Sequence, residues 1–116
     1  MNYLYISNNL EFLKNKIFDD LKNLVKLNLE DNGLKFLNKN IFKNLINLRM
    51  IDLTRNNIEQ LDPEIFINNT KLEIILLEFN KIKNISENQF KNLKQLRILQ
   101  LNKTNLENIK RECLSI

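Results

Sequence analysis

The sequence predicts a stacked solenoid, in which one structural unit recurs along the whole chain of 116 residues. The pattern LxxLxLxxN, seen between Leu48 and Asn56, returns every 24 residues, beginning at Leu24, Leu72 and Leu96. Further apolar positions recur in the same register behind it, so the similarity covers the entire unit. A fixed period of this size is typical of repeat proteins whose units stack on one another.

The first part of each unit predicts a short β-strand with one buried face. Apolar residues at alternate positions put their side chains on the same side of a strand. The fourth and sixth positions are apolar in every copy, and we expect them to face the core. Because each strand lies one whole turn from the next, the strands should pair in parallel. The inward residues are Tyr3, Leu27, Ile51, Ile75 and Leu99, followed by Tyr5, Leu29, Leu53, Leu77 and Leu101.

Two further columns indicate how the turns are held together. The chain bends after each strand, and an asparagine there can bond to main-chain groups that the bend leaves unpaired. We therefore interpret the asparagine column as structural, and not as catalytic or ligand-binding. A phenylalanine column forms a second apolar row behind the aliphatic core. The ninth position holds Asn8, Asn32, Asn56, Asn80 and Thr104, and the nineteenth holds Phe18, Phe42, Phe66, Phe90 and Leu114.

The combined 24-residue pattern, LxxLxLxxNxLxxLxxxxFxxL, resembles the leucine-rich-repeat family. The resemblance covers essentially the whole chain, as repeats of about 1–23, 24–47, 48–71, 72–95 and 96–116. It implies an α/β horseshoe arc with a concave parallel β-sheet and a mostly irregular or short-helical convex side, used mainly for binding other molecules. This repeat type also implies a cell-surface or secreted receptor-like protein, although intracellular members keep a cytoplasmic location open.

Length and the even repeat predict one domain with no linker. The hydrophobic share of 43% and its periodicity argue against disorder. No polar capping turn precedes Tyr3, and the chain stops before the fifth repeat is complete. We therefore expect an uncapped fragment, in which end-to-end or edge self-association is possible. No signal peptide is visible, and no apolar run is long enough to span a membrane.

The residue inventory argues against an enzyme and against a cofactor or metal. The chain has no histidine and no glycine-rich phosphate loop, and its one cysteine lacks a base partner. Cys113 falls where other repeats carry isoleucine, so we interpret it as a small hydrophobe on the convex side. The net charge of +4 is diffuse, since many lysines fall on back and connecting positions. A nucleic-acid footprint would need them on one face, and none is predicted.

The outward positions of the strands predict where function lies, because function belongs to sites placed on a fold. Apolar residues cluster there on neighbouring strands inside a charged border, which is typical of a protein-binding surface. Alternatively, these side chains cover one another or are buried by another part of the protein. The repeats would then be a structural spacer or packing segment of a larger ectodomain. The candidate partner-binding residues are Met50, Asp52, Arg55, Ile74, Leu76, Glu78, Phe79, Ile98 and Gln100.

Two smaller features complete the candidate sites. Leu4 and Ile6 are expected to form a second outward apolar patch, which a missing cap would explain better than a partner. Three N-glycosylation sequons begin at Asn68, Asn84 and Asn102. Asn84 lies on a connecting segment and is the best glycan candidate, with Asn68 as a second possibility. A glycan on Asn102 would obstruct the concave face.

Overall fold

The computed structural model describes residues 2–7 and 13–102, which form a solenoid of about four turns with a concave parallel sheet. The predicted fold class is confirmed. Five three-residue strands, each about one turn from the next, pair in chain order. The strands are β1 (Tyr3–Tyr5), β2 (Lys26–Asn28), β3 (Met50–Asp52), β4 (Ile74–Leu76) and β5 (Ile98–Gln100).

The core is a stack of aliphatic rungs, one layer per turn. In β2, β3 and β4 the central residue is buried and the flanking residues lie on the outer side of the sheet. The register pairs Leu27 with Ile51 and Ile51 with Ile75, so equivalent side chains stack directly. These three residues are at most 1% exposed. One turn alone could not bury such a rung, so stability is shared between neighbours.

The first strand is shifted by one residue from the predicted alignment. The pairing of β1 with β2 sets Leu4, and not Tyr3, opposite Leu27. Tyr3 and Tyr5 are each 53% exposed, whereas Leu4 and Ile6 pack against the core. The prediction that the tyrosines face inward and that Leu4 and Ile6 form an outward patch is therefore wrong. Because side chains alternate along a strand, a slip of one residue reverses both faces.

The slip arises because the first turn is one residue shorter than the others. Phe18 still stacks on Phe42, 24 residues later, with ring centroids 6.1 Å apart. The segment between β1 and Phe18 is therefore one residue shorter than the equivalent segments of later turns. The stretch from Tyr3 to Ile6 is apolar at every position. Hydrophobic alternation does not distinguish its two faces, and the 24-residue period does not hold in the first turn.

The observed register predicts that two neighbouring residues respond differently to a charge. Leu4→Lys should lower the free energy of unfolding by about 2 kcal/mol, because the ammonium group is placed against the core. Tyr5→Lys should change it by less than about 0.5 kcal/mol, because that side chain already lies in solvent. Urea unfolding followed by circular dichroism measures both. A larger loss for Tyr5→Lys would restore the 24-residue alignment.

The asparagine column ties each turn to the next through the main chain, as predicted. The Nδ2 of Asn56 donates to the carbonyl oxygens of Leu29 and Leu53, at 3.0 and 2.9 Å. Its Oδ1 accepts from the main-chain N–H groups of Asn32 and Leu34, both at 3.0 Å. The buried members of this column in the described ranges are Asn32, Asn56 and Asn80. Asn8 and Thr104 lie outside those ranges.

The convex side consists of successive turns, and the residues described there include no helix. The main-chain N–H of Leu45 donates to the carbonyl of Phe42, and that of Leu48 to the carbonyl of Leu45. The ring of Phe42 stacks on that of Phe66 at 6.0 Å, with the planes 8° apart. Leu114 of the same column is not among the described residues. No described segment is a helix long and apolar enough to cross a membrane.

Candidate functional site

The strand register brings the predicted apolar residues together on the concave face. Met50 pairs with Ile74, and Ile74 pairs with Ile98, so three apolar side chains lie on adjacent strands. Leu76 sits two residues along β4 on the same side of the sheet, beside Gln100 of β5. Neighbouring strands are about 4.8 Å apart, so these side chains are in contact range. They form one apolar stripe across β3, β4 and β5.

The apolar stripe is half-buried, and its exposed extension is Phe79. Met50, Ile74, Leu76 and Ile98 all have intermediate exposure, so they partly cover one another. Phe79 follows β4 and is 44% exposed. A large apolar side chain left in solvent beside an apolar stripe is typical of an interaction surface. The centre of the candidate site is therefore at the end of β4.

Phe79 is held in a backbone conformation that suits it poorly. Its φ is 59°, and the equivalent residues of the two preceding turns, Asp31 and Arg55, have φ of 59° and 57°. Asparagine, aspartate and glycine tolerate this left-handed region, whereas a bulky residue is an outlier there. The bend after each strand imposes the conformation. Phenylalanine is therefore present at position 79 despite the local backbone preference.

Arg55 lies over the ring of Phe79. Its Cζ is 5.0 Å from the ring centroid, within the range of a cation–π interaction. Both side chains are exposed, so the pair forms a flat arginine–aromatic platform at the strand ends. Stacking of this kind limits the rotamers of both side chains before any partner arrives. The platform is therefore partly preorganised.

Asp52 differs from its predicted role as an exposed border charge. It is only 8% exposed, and its Oδ1 accepts a 3.0 Å hydrogen bond from the main-chain N–H of Thr54. Asn28, one strand earlier, makes the equivalent bond to the N–H of Glu30 at 2.9 Å. Both side chains turn back to satisfy a main-chain donor at the strand end. The prediction that Asp52 forms an exposed border is wrong, because this local bond draws the carboxylate into the sheet surface.

Charges on the concave face are separated between its two edges. At the strand starts, Glu73 pairs with Arg49 at 3.8 Å and with Arg97 at 3.4 Å. At the strand ends, Glu30 and Glu78 project from the seventh position of their repeats. The arginine–glutamate–arginine row was missed by the sequence reasoning, although arginine and glutamate alternate at the second position of three consecutive repeats. Exposed ion pairs contribute little to stability, so this row does little to hold the fold together.

Tyr3 and Tyr5 were also missed as concave-face residues. They sit opposite Lys26 and Asn28 and extend the outward surface by one strand. The signal that could have found them is an alternative alignment, in which Leu4, Ile6 and Asn9 occupy the LxLxxN columns. The face thus carries an aromatic pair at β1 in addition to the apolar stripe at β3 to β5.

The model of the family described as leucine rich repeat matches residues 1–58, 22–82 and 70–115. These ranges overlap and together cover most of the chain. The chain belongs to the leucine-rich-repeat family. Its fold is an interaction scaffold. No curated protein sequence matches the chain significantly.

Solved structures of other leucine-rich-repeat proteins are similar to this chain. TLR13 in its complex with ssRNA13 is 30% identical over 99% of this chain and 16% of that chain, with a TM-score of 0.91. The leucine-rich repeat domain of APL1B is 27% identical over 88% of this chain and 31% of its own, with a TM-score of 0.83. Toll in the glycosylated Toll–Spatzle complex of Drosophila is 27% identical over 90% of this chain and 16% of its own, also with a TM-score of 0.83. This leucine-rich-repeat chain spans less than a third of each.

The three asparagines that begin the predicted sequons lie among the described residues of this leucine-rich-repeat chain. Asn84 and Asn68 are exposed, and the Nδ2 of Asn68 donates to the carbonyl oxygen of Lys43 at 3.3 Å. Asn102 is exposed just beyond β5, whereas Cys113 lies outside the described ranges. Within those ranges, no group of three or more histidine, cysteine, aspartate or glutamate residues could hold a metal ion.

Proposed function

We propose that this leucine-rich-repeat chain recognises a protein partner through its concave face, with Phe79 and Arg55 at the centre of the contact. The observation that carries the proposal is the state of Phe79. Its ring is exposed, sits in a left-handed conformation and stacks against an arginine. If a partner covered the ring, its burial would compensate for the unfavourable backbone conformation and the exposed apolar surface.

The energetics favour a recognition role over a folding role for Phe79. A left-handed conformation costs about 1–2 kcal/mol for a residue with a bulky side chain. An exposed cation–π contact returns only about 0.5–1 kcal/mol. Burial of the ring by a partner would add about 2–3 kcal/mol. Aromatic residues and arginine also dominate the energetic centres of protein interfaces.

Single-stranded RNA is the natural competitor for a protein ligand, because TLR13 is seen with ssRNA13. The strand ends of this chain carry Glu30, Asp31 and Glu78, which would repel a phosphate backbone. Among the residues that the structure describes at the strand ends, the cationic side chain is Arg55, and it lies on the ring of Phe79. A nucleic-acid site requires lysine and arginine along the contact face. These charges support a protein partner.

We further propose a cell-surface or secreted location for the protein that contains these repeats. The similarity to Toll, which is seen in a glycosylated form, supports this assignment. The exposed sequon residues Asn84 and Asn68 are compatible with glycosylation. The candidate glycan at Asn84 lies on a connecting segment, off the strands of the sheet, so it would leave the concave face open.

The proposal is tested with the substitution Phe79→Asn. Asparagine suits the left-handed conformation, so the free energy of unfolding should stay within about 1 kcal/mol of the parent. Relief of strain offsets the lost ring contacts. Binding should weaken by about thirty-fold or more, as for an interface centre. The matched control is Phe36→Asn, since Phe36 is 75% exposed but lies off the strands.

The parent and the two variants are immobilised, and each captures proteins from secreted and cytosolic fractions, with and without nuclease. Mass spectrometry identifies the captured proteins, and the affinity of a purified partner for each chain is then measured. A protein retained by the parent and by Phe36→Asn, but lost by folded Phe79→Asn, is the expected result. Equal capture by all three, or none by any, would favour the spacer role. Loss of capture on nuclease treatment would favour a nucleic-acid ligand, and the fraction that supplies the partner decides the location.

A further inference from the structure

We infer that the segment recognised by the concave face combines apolar and basic side chains, and that it lies across the strand ends. This inference rests on the proposed function and specifies the chemistry of the partner. It follows from the position of the acidic residues relative to the apolar stripe, and not from the overall charge of the chain, which has the opposite sign.

The strand ends bring carboxylates next to exposed apolar surface. Glu30 and Glu78 follow β2 and β4 at the same position of their repeats, two strands and therefore about 10 Å apart. Glu78 immediately precedes Phe79, and Asp31 occupies the same column as Arg55 and Phe79. A segment that crosses the sheet here meets acidic groups and the aromatic platform together. Apolar side chains would cover Phe79 while basic groups face the carboxylates.

These carboxylates are not neutralised within the described part of the chain. Glu30 is 3.5 Å from the amide nitrogen of Asn28, which carries no charge. The ion pairs formed by described residues involve Glu73 and lie at the opposite edge of the sheet. Neither Asp31 nor Glu78 pairs with a lysine or arginine there. Their charges therefore remain available to a partner, and charge complementarity selects for a basic one.

The opposite edge sets the position of the segment. Lys26, Arg49 and Arg97 are exposed near the strand starts, where Glu73 pairs with the two arginines in the described part of the chain. A basic segment over this edge would meet like charges, which disfavours binding. The separation of charge therefore places a basic segment over the strand ends and excludes it from the strand starts.

Because the chain is positively charged overall, a preference for basic over acidic peptides would be a clear test of the inference. The chain carries a net charge of +4, so long-range attraction alone would favour an acidic peptide. A preference for a basic peptide can arise only from the local field of the acidic edge. The two explanations predict opposite signs, and a simple comparison of peptides distinguishes them.

The experiment uses three fluorescein-labelled peptides of equal length, in which leucine and phenylalanine alternate with lysine, glutamate or serine. Fluorescence anisotropy measures the Kd of each with the full chain. The lysine peptide should bind about ten-fold more tightly than the glutamate peptide. In a Glu30→Gln, Asp31→Asn, Glu78→Gln variant, this preference should fall to about two-fold or less. A control variant with Asp20→Asn, Glu59→Gln and Glu64→Gln changes the net charge equally at exposed positions off the strands, and should keep most of the preference.

Equal binding of the lysine and glutamate peptides, tighter binding of the glutamate peptide, or no measurable binding of the lysine peptide would overturn the inference. Equal loss of preference in the strand-end variant and the control variant would overturn it too. The serine peptide tests the proposed function separately. If Phe79→Asn weakens serine-peptide binding while charge has no effect, the concave site stands and the basic partner does not.

Discussion

Replacing Asn56 with alanine is expected to lower the free energy of unfolding by about 3–5 kcal/mol. The amide makes bonds of 2.9–3.0 Å to two carbonyl oxygens and two main-chain N–H groups, on its own turn and the preceding one. Alanine removes the acceptor of two buried main-chain N–H groups, those of Asn32 and Leu34. The carbonyl oxygens of Leu29 and Leu53 lose one bond each but keep those from the Nδ2 of Asn32 and of Asn80. An unpaired buried group costs about 1–3 kcal/mol, and partial relaxation of the bend recovers some of that loss. The remainder is comparable to the entire stability of a small domain.

Asn57→Ala provides the matched control, because it makes the same chemical change one residue later. Asn57 is half-buried, and its main-chain N–H, which the substitution leaves in place, donates to the carbonyl of Leu34. Its truncation should cost less than about 0.5 kcal/mol. Urea unfolding monitored by circular dichroism gives both values. A similar, small loss for both variants would show that the asparagine column does not hold the turns together.

The fold could be predicted because its determinants repeat. In the described turns the same asparagine position satisfies the main chain each time, so the recurrence of Asn32, Asn56 and Asn80 predicts a shared bend from the sequence. The same logic failed in β1, where the turn is shorter and every residue of YLYI is apolar. Periodicity there carried no information about the buried face. The pairing of β1 with β2 determines which face of β1 is buried.

The candidate site was predictable only where it follows the register. The proximity of Met50, Ile74 and Ile98 comes directly from the 24-residue period. The burial of Asp52 depends on a side-chain rotamer that reaches the N–H of Thr54, which hydrophobic periodicity does not reveal. The stacking of Arg55 on a neighbouring ring likewise depends on rotamers and on the left-handed bend. Sequence patterns locate these residues on a face but do not give their contacts.

The phenylalanine column offers the second large stability effect, and Phe42 is its best test. Its ring is completely buried and stacks on Phe18 at 6.1 Å and on Phe66 at 6.0 Å. Phe42→Ala should therefore lower the free energy of unfolding by about 3–5 kcal/mol, from lost burial and the cavity that remains. Both ring pairs contribute about 0.5–1.5 kcal/mol each beyond burial, and both are lost together.

The consequences of Phe42→Ala should spread to the adjacent turns, because each turn of a solenoid is stabilised by its neighbours. The carbonyl of Phe42 accepts hydrogen bonds from Asn69 Nδ2 and from the N–H of Leu45, so movement of this segment disturbs the next turn. Hydrogen exchange should show lost protection in turns on both sides of the substitution. Phe36→Ala, the same change at a 75% exposed ring, should leave stability and exchange almost unaltered. Protection lost only within the mutated turn would mean that the phenylalanines fill each turn separately, and that their stacking does not couple neighbouring turns.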